Sequence, residues 1–159
     1  MQTSDNIQTS FKPSSKPGNI VQVISYLLIL LWVYAAASKL IDYDTSRAQM
    51  LNQIFSKSIA NVLVWAVPFT ELLAGSLLIF LKTRLAGLYA SLLLLISFTI
   101  YIGLVMNNVF GRIPCSCGGV LNKMTWEQHL TFNLAFMLLT STAILFSAHL
   151  KEGGFMGKE

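Results

Sequence analysis

Cys115 and Cys117 are the chain's two cysteines, in the stretch Pro114-Cys115-Ser116-Cys117-Gly118-Gly119. Thiols separated by one residue can close only a small ring. Their Cα atoms sit near the upper end of the usual disulfide range. Such a bond needs local distortion and reduces more readily than a relaxed one. Gly118 and Gly119 allow backbone angles that other residues resist. The pattern fits a dithiol that exchanges electrons, with the thiolate as the reacting species. Other readings stay open: a static disulfide pinning the loop, two inert thiols, or a metal site. A closed zinc site wants four ligands. Only His129 is near in sequence, and His149 lies at the far end of the following helix.

His129 falls one turn into that helix. It could shuttle protons or lower a thiol pKa, or it is an interfacial histidine bonded to solvent or backbone. The helix N-terminus would itself favour a thiolate nearby. Trp126 reads as an interface anchor. Glu71 is the one ionisable residue well inside an apolar run. A carboxyl there is costly in lipid and calls for a partner in the bundle interior. Lys39, Asn133 and the Thr140–Thr142 cluster are the candidates. Pro68, three residues earlier, frees a backbone carbonyl and can kink the helix. Glu71 is then a proton- or quinone-linked site, or a hydrogen-bonded structural carboxylate. Lys39, Asp42 and Asp44 close the preceding apolar run. They read as solvated boundary charges, or as charges paired with one another or with Arg112.

The elements that must hold these residues are membrane spans. Charged residues are 11% of the 159 and hydrophobic ones 54%. A soluble domain carries about 25% charged residues. The net charge of +4 comes from singly scattered Lys and Arg, which read as membrane-flanking anchors and not as a nucleic-acid surface. Four runs are long enough to span, at about 20–40, 59–81, 85–106 and 128–148. The first also resembles a signal peptide, with Ala35-Ala36-Ala37 as a small-residue site. Residues 1–19 form a polar, flexible tail with Pro13 and Pro17, and 151–159 a short polar one. Between spans one and two, Met50, Leu51, Ile54 and Phe55 share a helical face. They make a short amphipathic helix, lying at the interface or packed on the bundle end.

Lys82-Thr83-Arg84 is so short a turn that spans two and three must be antiparallel neighbours. Ala86, Gly87, Ala90 and Ser91 supply small-xxx-small spacing for close helix approach. Thr125-Trp126-Glu127-Gln128 matches a capping box at the start of the fourth span. The expected fold is all-α: an integral membrane four-helix bundle with a cysteine-bearing loop between spans three and four. Both termini then share one side. Lys and Arg split six against five between the two sides. Only the compact basic turn weakly favours placing the termini inside and the cysteine loop on the outer, oxidising face.

Ala37-Ser38-Lys39-Leu40-Ile41-Asp42, Val67-Pro68-Phe69-Thr70-Glu71-Leu72-Leu73 and the cysteine stretch together resemble the MauE family of methylamine-utilisation membrane proteins, within the broader DoxX-like group. The resemblance covers roughly residues 20–146. It implies a four-helix bacterial inner-membrane protein with a periplasmic cysteine loop. It also implies support of disulfide formation or electron supply for a cysteine-rich extracytoplasmic client, beside a thioredoxin-like partner. By position, Cys115 and Cys117 are the redox pair, Pro68 and Glu71 the second-helix motif, and Lys39 and Asp42 the first-helix motif. The family loop often reads Cys-Gly-Cys-Phe-Gly, so Ser116 and Gly118 depart from it. Nothing in the residues themselves points to methylamine metabolism.

The expected function is a membrane thiol–disulfide redox protein. A quinone or a partner protein would accept the electrons. The alternatives are a non-enzymatic scaffold or assembly subunit with a structural disulfide, and a small-molecule carrier that uses Glu71.

Overall fold

The structure is a computed structural model that describes the backbone of residues 16–111 and 125–155, and the side chains of 18–111 and 125–148. Cys115, Cys117 and Arg112 lie outside the described residues, as do residues 1–15 and 156–159. Among the described residues there are five helices and no strand: α1 (Lys16–Ile41), α2 (Tyr43–Leu51), α3 (Lys57–Ile79), α4 (Arg84–Met106) and α5 (Trp126–Phe155). Four contain segments long and apolar enough to cross a membrane: Gly18–Ile41, Lys57–Ile79, Arg84–Met106 and Trp126–Ala148. The long helices form a ring in the order α1, α3, α4, α5, and α5 closes back on α1. Leu30, Phe69, Leu93 and Leu138 point outward and are each about two-thirds exposed. That is the surface a bilayer would cover.

Helix bounds differ from the sequence expectation mainly at the ends. The first helix starts at Lys16, inside the expected tail, because Pro17 suits a first helical turn, where its missing N–H is no loss. The last runs on to Phe155, since no proline follows to stop it. Pro68 lies buried within α3, and that helix continues through it to Ile79.

The chain stops and turns by identifiable chemistry. α3 begins with Ser56 accepting a bond from the Ile59 N–H. At its other end Phe80 turns extended, and the Thr83 hydroxyl donates to the Leu77 carbonyl at 2.8 Å, one of the orphans of the helix end. α4 ends at Met106, and Asn108, just past the Asn107 cap, takes the left-handed conformation (φ 51°). The Asn108 N–H bonds the Val105 carbonyl and the Val109 N–H bonds the Leu104 carbonyl, the paired bonds of a Schellman stop. α5 starts at the expected capping box. The Gln128 N–H donates to Thr125 Oγ1 at 3.3 Å, and the Thr125 N–H donates to Gln128 Oε1 at 3.0 Å.

Between α1 and α3, the short helix and the residues after it pack on the bundle end. Gln53 is fully buried and accepts a hydrogen bond from the Tyr101 hydroxyl of α4. Phe55 stacks on the Tyr101 ring at 5.6 Å, and Tyr43 contacts Trp65. The connector is therefore tied to two spans and packs on the bundle end, but the expected helical face through Ile54 and Phe55 is a correction: α2 stops at Leu51, and both residues lie in the turn after it.

Lipid offers little hydrophobic drive between helices, so packing and polar contacts decide their association. At the end where α3 turns into α4, Gly87 supplies the closest approach. A Cβ there would meet Leu78 Cγ and the Leu78 backbone nitrogen at 2.9 Å each. Leu28, Leu78, Leu88 and Ala143 fill that half with no exposed surface. Ala86 of the expected small-residue stripe faces outward and takes no part. Ser91 does: it is buried and accepts a hydrogen bond from the Trp32 indole at 2.9 Å, locking α1 to α4 across the bundle.

Candidate functional site

The opposite half of the bundle is not filled. A cavity of about 280 Å³ lies there, lined from every helix. α1 contributes Trp32, Ala35 and Lys39. α3 contributes Leu63, Val67 and Glu71, and α4 Leu95, Phe98 and Tyr101. Met50 and Phe55 of the connector and Trp126, His129, Phe132 and Asn133 of α5 complete the wall. The lining is mostly apolar and rich in aromatic rings. Trp32 and Phe98 lie with ring centroids 6.4 Å apart.

Glu71 and Lys39 form an ion pair within this wall. Glu71 is fourteen residues into α3, about 21 Å from its start at 1.5 Å per residue. Lys39 is two residues from the end of α1. Its side chain runs back along its own helix, and the ammonium donates to the Ala35 carbonyl at 3.1 Å. It also donates to Glu71 Oε1 at 2.8 Å and Oε2 at 3.2 Å. An ammonium has three donors, and here three acceptors meet them. The side chains are 18% and 2% exposed. Unpaired, either charge would be expensive in this position. Paired, they cancel.

Of the partners expected for Glu71, the structure selects Lys39. Thr140 and Thr142 instead donate to carbonyls of their own helix, those of Phe136 and Leu138. Lys39 as a solvated boundary charge is a correction, because the nearby carboxylate and the Ala35 carbonyl draw it inward. Asp42 is exposed at the corner between α1 and α2 and makes no side-chain cap. It is not among the residues lining the cavity. His129 and Pro68 also part company: His129 lines the cavity, and Pro68 is buried in α3 outside the lining.

Asn133 is 4% exposed, and its Nδ2 has no hydrogen-bond partner among the described residues. The sequence reading offered it as a candidate partner for Glu71, a place that Lys39 takes instead. Trp32 and Tyr101 were missed altogether as site residues. A tryptophan in the middle of a span, away from the usual interfacial belt, was the available signal for Trp32.

The cysteine segment joins this site by chain connection. α1 ends, α2 packs, α3 begins, α4 ends and α5 begins at the same end of the bundle. Gly111 and Thr125, the described residues on either side of the segment, both belong to that end. Trp126, the next residue, already lines the cavity.

Fold and site thus define a multi-pass membrane protein: four apolar helices around a half-empty core with a neutralised ion pair in its wall. Residues 17–146 match the model of the family described as methylamine utilisation protein MauE, and the chain belongs to that family. The match points to a membrane protein of methylamine utilisation. Comparison with curated proteins and with solved structures finds no match.

Proposed function

We propose that this chain is a thiol–disulfide redox protein of the bacterial inner membrane, with the Cys115–Cys117 pair on the periplasmic face. One observation carries the reading. The residues that bracket the cysteine segment emerge at the end of the bundle that holds the unfilled cavity, with Trp126 and His129 in its wall. The chain tethers the dithiol to the end of the bundle that holds a chamber for a second reactant.

In the reaction, a thiolate of a cysteine-rich or thioredoxin-like client attacks one sulfur of the Cys115–Cys117 disulfide. A mixed disulfide forms, and the displaced sulfur leaves as thiolate and takes up a proton. The client's second thiolate then attacks the mixed bond. The client leaves as a disulfide, oxidised by two electrons, and Cys115 and Cys117 remain as two thiols. Their reoxidation requires a two-electron acceptor. His129 is positioned to pass protons at this end, and the Lys39–Glu71 pair keeps the chamber neutral.

The test is trapping. Cys117→Ser and Cys115→Ser variants are expressed in the native host, and membranes are quenched with acid and an alkylating agent. One variant should accumulate a reducible adduct with a periplasmic protein, identified by mass spectrometry. No adduct in either variant, with normal growth on methylamine, would leave a structural disulfide on a scaffold subunit. Loss of activity in Glu71→Gln with both cysteine variants active would instead mark a small-molecule carrier.

A further inference from the structure

The unfilled cavity carries its own recognition chemistry. Its one charged pair cancels, because Glu71 takes two bonds from Lys39 and the Lys39 ammonium has spent all three donors. A cation such as methylammonium finds no free negative charge there, and an anion finds no free positive one. Charge balance therefore favours a neutral ligand over an ion. The walls are aromatic at Trp32, Phe98 and Phe132, which suits a flat ring. Asn133 Nδ2, in a residue 4% exposed, has no acceptor among the described residues. An unsatisfied buried donor costs about 1–3 kcal/mol. A water would need two to four polar partners, and this wall is largely apolar. A volume of about 280 Å³ lies at the small end of ligand sites, enough for one substituted ring and not for a long tail.

From these four constraints we infer that the cavity binds the ring of a lipid-soluble quinone, with one ring carbonyl accepting a hydrogen bond from Asn133 Nδ2 and the tail left in the bilayer. A side-chain amide both donates and accepts. The same residue can therefore hold the carbonyl of the quinone through Nδ2 and the hydroxyl of the quinol through Oδ1. This deepens the thiol-redox reading by naming its acceptor, and for that role it rests on that reading. Reoxidation then balances: two thiols lose two electrons and two protons and form one S–S bond, and the quinone gains both to become quinol. The binding site itself uses none of the cysteine segment.

The experiment uses the full chain in lipid nanodiscs, titrated with a decyl-substituted benzoquinone and followed by calorimetry against protein-free discs. The wild type should show saturable binding at one equivalent. Asn133→Leu, of similar size but with no donor, should bind about tenfold more weakly while keeping helicity and melting temperature. The Cys115→Ser/Cys117→Ser double variant should bind as the wild type does. Absence of saturable binding beyond the empty discs would mean the cavity holds only water, and would overturn the inference. So would an Asn133→Leu variant that binds as tightly as the wild type, or displacement of the quinone by methylammonium. The double variant separates the two claims. If it binds quinone normally and the trapping experiment fails, the site stands and the thiol reading falls. If trapping succeeds and no quinone binds, the reverse holds.

Discussion

The two halves of this bundle are built from the same helices and differ in what fills them. Around Gly87, side chains are small or branched and meet closely: Leu78, Leu88 and Leu28 are wholly buried, and a Cβ at Gly87 would clash with Leu78. Around Glu71, large rings stand apart and leave a chamber of about 280 Å³. A membrane protein gains little by keeping a void, since packing contacts are much of what binds its helices. An unfilled half with a buried ion pair and an orphaned amide is thus a cost to stability, while the filled half supplies the rigidity that tolerates it.

Substitutions can break this contrast in order of size. The largest effect belongs to the open half. Lys39→Met leaves the Glu71 carboxylate buried and unpaired, and should destabilise the protein by about 3–5 kcal/mol. The double variant Lys39→Met/Glu71→Leu should recover most of that loss, because an apolar pair replaces an ionic one. Unfolding in mixed micelles with rising dodecyl sulfate fraction measures both. If the pair contributes nothing, the single variant will behave like the double.

Next comes the closed half. Gly87→Val drives a side chain into Leu78 and the adjacent backbone, and should cost about 1–3 kcal/mol. Gly103→Ala is the matched control. A Cβ at Gly103 meets nothing within 4 Å, so that change should stabilise α4 by about 0.5–1 kcal/mol. Equal effects at the two glycines would erase the distinction between a tight and a loose half.

Smaller effects sharpen the boundary. Trp32→Phe removes the indole donor that Ser91 accepts and should cost about 1 kcal/mol. Thr125→Ala removes half of the capping box and should cost roughly 0.5–1 kcal/mol, seen as fraying at the start of α5 in hydrogen exchange. That variant also loosens one anchor of the cysteine segment, so its thiol exchange should change while α1 and α3 protection does not.

Much of this architecture was legible in the sequence because it rests on local signals. Long apolar runs give spans, the Lys82-Thr83-Arg84 turn gives an antiparallel pair, and Thr125 with Gln128 gives a helix start. Glu71 stood out because a carboxyl inside a span demands a partner, and Lys39 was among those considered. What the sequence could not supply was geometry between distant residues. Nothing local shows that Lys39 folds back onto Ala35, or that Tyr101 reaches Gln53. The chamber itself has no sequence signature, since it is a space left between side chains. Asp42 looked equivalent to Lys39 by position near a helix end. One faces solvent and the other the bundle, because only one lies on the stripe that meets α3.

The proposed exchange of electrons at Cys115 and Cys117 has a direct readout. Equilibration of the purified protein in redox buffers, with alkylation to count free thiols, tests it most directly. An exchanging pair gives a two-electron midpoint for Cys115 and Cys117 of about −180 to −270 mV. A bond that stays oxidised below about −300 mV, as relaxed structural disulfides do, would contradict it.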